Sequence, residues 1–342
     1  MSQTNSPFAK FKKIPPKKIA IDERELVKSY PLISGHSLPL VFEPAVDDLD
    51  TLGWLESKAS FLEERLYKHG AILFRGFDVK SVSDFESFAG KLCPTLFGEY
   101  GDLPHAEGKV YDVTPYPPEG TILFHNESSH LPRFPMKQFF YCKQPAREGG
   151  ATPIVDCREL YRILNPELRD RLAKKKLRYV RNFIEGVDVP WREFFKTEDR
   201  AEVEDRCREQ GIVFEWKNID DLMTYQIGPA VARHPKTGEM VLFNQIQLHH
   251  ISCLEADLRQ ALLKLFPVED LPRNVYFGDG SVLEDEAVRG MERLYWDQSV
   301  SFEWQPGDIL MLDNMLVAHA RNPYTPPRKI FVAMGEITRT GE

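Results

Sequence analysis

Two short apolar runs, Thr121-Ile122-Leu123-Phe124 and Ile309-Leu310-Met311-Leu312, each lead into candidate metal ligands: His125 and Glu127 directly after the first, His319 downstream of the second. On an extended strand, residues two apart share a face, so His125 and Glu127 can offer a nitrogen and an oxygen to one ion. Two imidazoles and one carboxylate are the minimum set that holds a non-haem ferrous ion. In a facial arrangement they fill three of six positions and leave three for substrate-derived ligands and oxygen. H-x-E alone is common by chance, and His319 alone reads equally well as a core histidine bonded to a backbone carbonyl.

The flanking segments predict a mainly β fold. Leu52, Leu55, Ala59, Leu62 and Leu66 form the stripe of a helix ending near His69-Gly70. Ala71 to Arg75 then reads as a buried strand, and Ser83 to Leu92 as a helix packed on it. Residues 138–142 and 152–155 are strand candidates joined by a turn at Gly149-Gly150, a hairpin-like connection that favours an antiparallel sheet. Helices are expected at 159–164, 166–173, 198–210 and 256–266, the last with Leu258, Ala261, Leu262 and Leu265 on one side. Alternation in 239–247 and runs at 301–304, 309–312 and 329–334 suggest further strands. The class is α+β, a β-sandwich or open barrel decorated with helices. Residues 1–30 read as a flexible extension and 31–342 as a single domain with an insertion at about 183–225.

Composition narrows the function classes. A formal net charge of -8 argues against a nucleic-acid binder, whose phosphate contacts need a basic face. The basic run Arg169, Arg171, Lys174, Lys175, Lys176 and Arg178 reads as a solvated helix face rather than a docking patch. Five cysteines without a C-x-x-C pair fit reduced thiols. Met1 to Lys18 lacks an apolar core and no membrane-length apolar run occurs, so the expected location is the cytoplasm, with no membrane partner. No G-x-G-x-x-G opens a helix, which disfavours nicotinamide binding.

Three stretches in order carry a family likeness: Ile122 to Glu127; Arg147-Glu148-Gly149-Gly150-Ala151-Thr152-Pro153; and Pro306-Gly307-Asp308 through Asp313-Asn314 to His319-Ala320-Arg321. They resemble the TauD/TfdA-type 2-oxoglutarate-dependent oxygenases, and within them the clavaminate-synthase-like and SyrP-like enzymes, over roughly residues 70–335. The resemblance implies a double-stranded β-helix (a cupin-like jelly roll) with His125, Glu127 and His319 as Fe(II) ligands. It implies 2-oxoglutarate and O2 as cosubstrates, with Thr152 and Arg328 on the distal carboxylate and Arg321 in reserve, either there or orienting Glu127. A carboxylate at position 127 occupies the place where halogenating relatives carry Gly or Ala, so hydroxylation is expected instead.

The implied reaction is hydroxylation of an unactivated C–H bond in an amino acid or its derivative, free or tethered to a peptidyl carrier protein, with release of succinate and CO2. Desaturation or cyclisation on the same scaffold, a 2-oxoglutarate-independent cupin-like oxygenase, and a non-catalytic metal binder are the alternatives. Candidate substrate contacts are Asn126, Ser128, His130, Asn244 and Gln245. His249-His250 reads as structural or pocket-lining, because adjacent strand residues face opposite ways, and His36, His69, His105 and His234 have no companions at ligand spacing. Oligomeric state is left open.

Overall fold

The computed structural model describes residues 26–98, 104–217 and 220–339. An eight-stranded sheet runs in the order Val27–Pro31, Leu40–Pro44, Ala71–Phe74, Ile309–Asp313, Arg133–Gln144, Lys329–Arg339, Val110–Asp112, His105–Glu107. Its central strands alternate between two interiors. Ile309, Met311, Phe139, Tyr141, Phe331 and Ala333 face helices Thr51–His69 and Val82–Leu92, whereas Leu310, Leu312, Phe140, Cys142, Val332 and Met334 face a second, three-stranded sheet. Burial on both faces is why these strands read as continuous apolar runs rather than as alternation.

The small sheet holds Val317–Arg321 between Ile122–His125 and Ile154–Asp156, all antiparallel. Consecutive strands Ile309–Asp313 and Val317–Arg321 therefore lie in opposite layers, joined across three residues. Two facing sheets with strands alternating between them make a double-stranded β-helix.

Helix Thr51–His69 starts with the Asp50 side chain accepting from Gly53 N at 3.0 Å, and buries Leu55, Leu62 and Leu66. It ends at Gly70, whose φ of 75° suits glycine and whose added Cβ would lie 2.6 Å from Val317 Cγ2. A larger residue there would push directly on the strand that carries His319.

Several sequence expectations are corrected. Segments 138–142 and 152–155 are not hairpin partners: Arg133–Gln144 pairs with Ile309–Asp313 and Lys329–Arg339, while Ile154–Asp156 pairs with Val317–His319 in the other layer. Residues 301–304 form no strand, because the chain only bridges at Val300 to Ile154 before turning through Pro306-Gly307. Within 239–247 only Met240–Leu242 is extended, and Ile246–His249 is a helical turn. Helix Ala256–Leu265 forms, but its stripe buries no residue, and Leu258 and Leu265 stay 51% and 70% exposed. Val27–Pro31, in the stretch expected to be flexible, is an edge strand; the rest of that expectation, residues 1–25, lies outside the described residues.

Segment 183–225 carries helices Trp191–Phe195 and Arg200–Gln210 over its own cluster of Phe183, Trp191, Phe195, Val203, Cys207 and Leu222. It leans on a four-stranded sheet ordered Val213–Trp216, Leu222–Gly228, Leu177–Phe183, Arg273–Phe277. The basic face of helix Pro166–Lys175 is matched internally, Arg171 by Glu284 and Lys175 by Asp279. Among the described residues, no helix is long and apolar enough to cross a membrane.

Candidate metal centre and anion pocket

His125 closes strand Ile122–His125 opposite His319 in register, with ring centroids 4.3 Å apart. Glu127 follows two residues on, and ligand atoms of His125, Glu127 and His319 all lie within 4.8 Å of one another. His125 Nδ1 lies 2.9 Å from Leu123 O. A carbonyl only accepts, so Nδ1 donates to it, which leaves Nε2 as the ring atom turned toward Glu127, 4.0 Å from its Oε2. His319 is buried against Phe140, and among the described residues its Nδ1 has no hydrogen-bond partner. Burial, with the neighbouring His125, pushes the His319 imidazole well below its ordinary pKa, which keeps it neutral. Two imidazoles, one of them kept neutral by burial, and a carboxylate are a donor set that fits a divalent first-row metal.

Glu127 is held through its backbone by a residue whose role the sequence did not reveal. Asn314 Oδ1 accepts from Glu127 N at 2.7 Å, and Asn314 Nδ2 donates to Glu127 O at 2.9 Å and Pro135 O at 2.8 Å. Asn314 is itself set by Asp313, whose Oδ1 accepts from Met315 N and Leu316 N, both at 2.9 Å. The other Asp313 oxygen lies 3.0 Å from Nε2 of fully buried His234. His234 thus finds a partner far away in sequence, which spacing could not show.

Thr152 and Arg328 meet beyond the small sheet. Arg328 Nε donates to Gly150 O at 3.0 Å and Nη2 to Thr152 Oγ1 at 3.4 Å. Thr152 Oγ1 also accepts from Trp304 Nε1 at 3.2 Å. With both lone pairs engaged, its hydroxyl proton is left to donate. Gly150 permits this proximity, since its φ is 70° and an added Cβ would sit 3.0 Å from Arg328 Cδ. Among the described residues no carboxylate forms an ion pair with Arg328. Burial, then the nearby Arg321 charge, pull its guanidinium down to about 10, so it remains cationic at neutral pH. A buried, uncompensated guanidinium beside a free hydroxyl donor suits a carboxylate ligand.

Arg321, the reserve candidate, is engaged through its terminal nitrogens. It donates to three carbonyls, Tyr116 O at 3.1 Å, Pro117 O at 2.6 Å and Gly120 O at 2.6 Å, between the rings of Tyr116 and Tyr324. It clamps the 116–120 loop, and its charge lies near enough to Arg328 to act on that guanidinium, both cations packing on the Tyr324 ring.

The substrate-contact candidates divide. Asn126 is fully buried; its Nδ2 donates to Asn314 O at 2.7 Å and its Oδ1 accepts from Asn244 N, so it braces the metal loop and offers no surface. Asn244 is likewise consumed, accepting from Ile246 N and donating toward Tyr295. Ser128, buried at φ 54°, turns the chain after Glu127. Gln245, buried too, donates from Nε2 to Asn126 O at 3.1 Å. Only His130 stays partly accessible, beside His249 at 5.1 Å and Tyr179 at 5.8 Å. His249 ends a helical turn rather than occupying a strand, so the reason given for excluding the His249-His250 pair fails. His249 also joins His130 in one cluster, while His250 points to Leu283 O. Burial lowers both cluster imidazoles, His249 to about 4, leaving them uncharged.

The model of the taurine catabolism dioxygenase TauD, TfdA family matches residues 35–334. The chain belongs to the TauD/TfdA family. Within this dioxygenase family, it is 36% identical over 277 residues to the dapdiamide synthesis protein DdaC of Enterobacter agglomerans, covering 80% of this chain and 84% of that protein. A clavaminate synthase-like protein of Arabidopsis thaliana is 31% identical over 295 residues, covering 82% and 86%. Among solved structures, PvcB of Pseudomonas aeruginosa matches at a TM-score of 0.57 and 13% identity over 92% of this chain and 93% of that one, a likeness of fold. The TauD/TfdA chain therefore shares its jelly-roll core with a protein elsewhere described as an Fe, alpha-ketoglutarate dependent oxygenase.

Proposed function

We propose that this TauD/TfdA dioxygenase uses iron(II) and 2-oxoglutarate to hydroxylate an unactivated C–H bond of an amino acid or amino-acid derivative. The observation that carries the reading is the pairing of two donor sets. Ligand atoms of His125, Glu127 and His319 converge within 4.8 Å of one another, and the buried Arg328 guanidinium lies beside the Thr152 hydroxyl. His125 Nε2, a Glu127 carboxylate oxygen and a His319 nitrogen would hold the metal. When bound, iron with 2-oxoglutarate and oxygen supplies the oxidising power for the C–H bond, with succinate and CO2 as coproducts.

The chain's own residues do the positioning. Arg328 would pair with the distal carboxylate of 2-oxoglutarate and Thr152 would donate its hydroxyl proton to it, with Trp304 fixing the threonine rotamer. Asn314 locks the backbone around Glu127, so the carboxylate meets the metal without paying for loop ordering on binding. Phe140 packs against the His319 ring and keeps its buried side dry. His130 and His249 give the accessible side a neutral, hydrogen-bonding wall that suits a polar substrate. Residues 31–342 act in this reading as one catalytic domain, with 183–225 inserted over the mouth.

The test is substrate-dependent succinate release, measured with free amino acids and with the same amino acids loaded on a carrier protein. One class should raise succinate well above the substrate-free rate. Iron and 2-oxoglutarate binding without stimulation by any member of either class would refute the substrate assignment while leaving the cofactor assignment standing.

A further inference from the structure

A cavity separate from the metal centre opens on another part of the fold. It occupies about 460 Å³ beside the hairpin Val231–Arg233/Met240–Leu242, and none of His125, Glu127 and His319 lines it. Its walls are apolar: Phe134, Phe243, Met315, Val231 and Ala232, with the Phe134 and Phe243 rings 4.6 Å apart. His234 adds only a ring face, since Nε2 meets Asp313 and Nδ1 accepts from Thr237 N at 3.0 Å.

Among the described residues the charged lining residues are Arg233 and Arg339, with no carboxylate residue beside them. Arg233 is preset at the rim by donating to Gly238 O at 2.7 Å. A volume within the range of about 300–1,000 Å³ typical of ligand pockets, aromatic walls and a rim of two guanidinium groups describe one ligand chemistry. We propose that this cavity is a second binding site, separate from the metal centre, for an amphipathic carboxylate bearing an aryl or branched alkyl group.

The site is wired to the metal loop through chain neighbours. Phe134 precedes Pro135 and Met315 follows Asn314, the two residues joined by the Asn314 Nδ2 bond that also involves Glu127. Phe243 precedes Asn244, whose N–H donates to Asn126. A ligand packed on these three side chains presses on the frame that holds Glu127.

Isothermal titration of the full chain with phenylbutyrate, and with phenylbutyramide as its uncharged counterpart, tests the proposal. Saturable phenylbutyrate binding is expected, with the amide weaker by about tenfold or more. Ala232→Trp, which fills the cavity, should abolish binding, and Arg339→Gln should weaken it several-fold. Arg328→Ala should leave it intact, because that arginine belongs to the other anion pocket. Absence of saturable binding, equal binding of the amide, or loss in Arg328→Ala with retention in Ala232→Trp would each overturn the proposal. If melting curves show that Ala232→Trp does not fold, the exposed Arg339→Gln variant decides, and unchanged affinity there counts against the site.

Discussion

Replacing Asn314 by alanine should damage metal binding beyond what its loss of stability accounts for. The side chain is fully buried and makes three hydrogen bonds, two to the backbone of Glu127 and one to Pro135 O. Each such bond contributes about 1 kcal/mol net, and each partner stranded in a poorly solvated place costs about 1–3 kcal/mol. The expected destabilisation is about 3–4 kcal/mol, and the fall in Tm on the order of 5 °C. Supporting residues of this kind also change metal affinity by about 10–100-fold. A comparison variant is Asn182→Ala, since Asn182 is also buried, lies on strand Leu177–Phe183 of the four-stranded sheet, and donates to Leu271 O at 2.7 Å and Glu269 O at 3.2 Å rather than to Glu127. Mn(II) titration followed by electron paramagnetic resonance, run beside thermal melts, separates the two effects. Both variants should lose stability, but only Asn314→Ala should lose affinity. Equal affinity losses in both, or none in Asn314→Ala, would refute the positioning role.

Two further outcomes follow from the pocket and the imidazoles. Arg328→Ala should raise the KM for 2-oxoglutarate at least tenfold with little change in that for the prime substrate, and equal losses for both in steady-state kinetics would count against its placement. Stability should fall in acid: His130, His249 and His250 are held neutral by burial, whereas the unfolded chain takes up their protons near pH 6.5. The unfolded state then binds more protons, so stability present above about pH 6.5 is lost as pH falls toward about 4, the His249 value. His249→Gln should flatten Tm against pH across that window, and an unchanged slope would contradict the reasoning.

The legible parts of this chain are those where local pattern and tertiary role coincide. Ala71–Phe74 and Ile309–Asp313 are buried on both faces, so an unbroken apolar run reported them well. His125 and Glu127 were visible because strand period alone puts them on one side. Strand pairing was not: the Gly149-Gly150 turn looks like a hairpin, but it hands the chain from one layer to the other. Helix Ala256–Leu265 shows the converse failure, since its apolar spacing is real and yet, among the described residues, none of its side chains is buried. The supports of the site, Asn314, Trp304 and the His234–Asp313 pair, are bound to residues distant in sequence, and no spacing rule reaches such contacts. Asn126 and Arg321 were placed near the chemistry by proximity in sequence, yet the fold ties the Asn126 side chain and the two terminal nitrogens of Arg321 to backbone groups.

The most direct test of the two-part site is anaerobic addition of Fe(II) and then 2-oxoglutarate, watched in the visible spectrum. A weak charge-transfer band should appear only when both are present, vanish in His319→Ala, and require much more 2-oxoglutarate in Arg328→Ala. A wild-type protein that binds Fe(II) but never develops the band with 2-oxoglutarate would contradict the account.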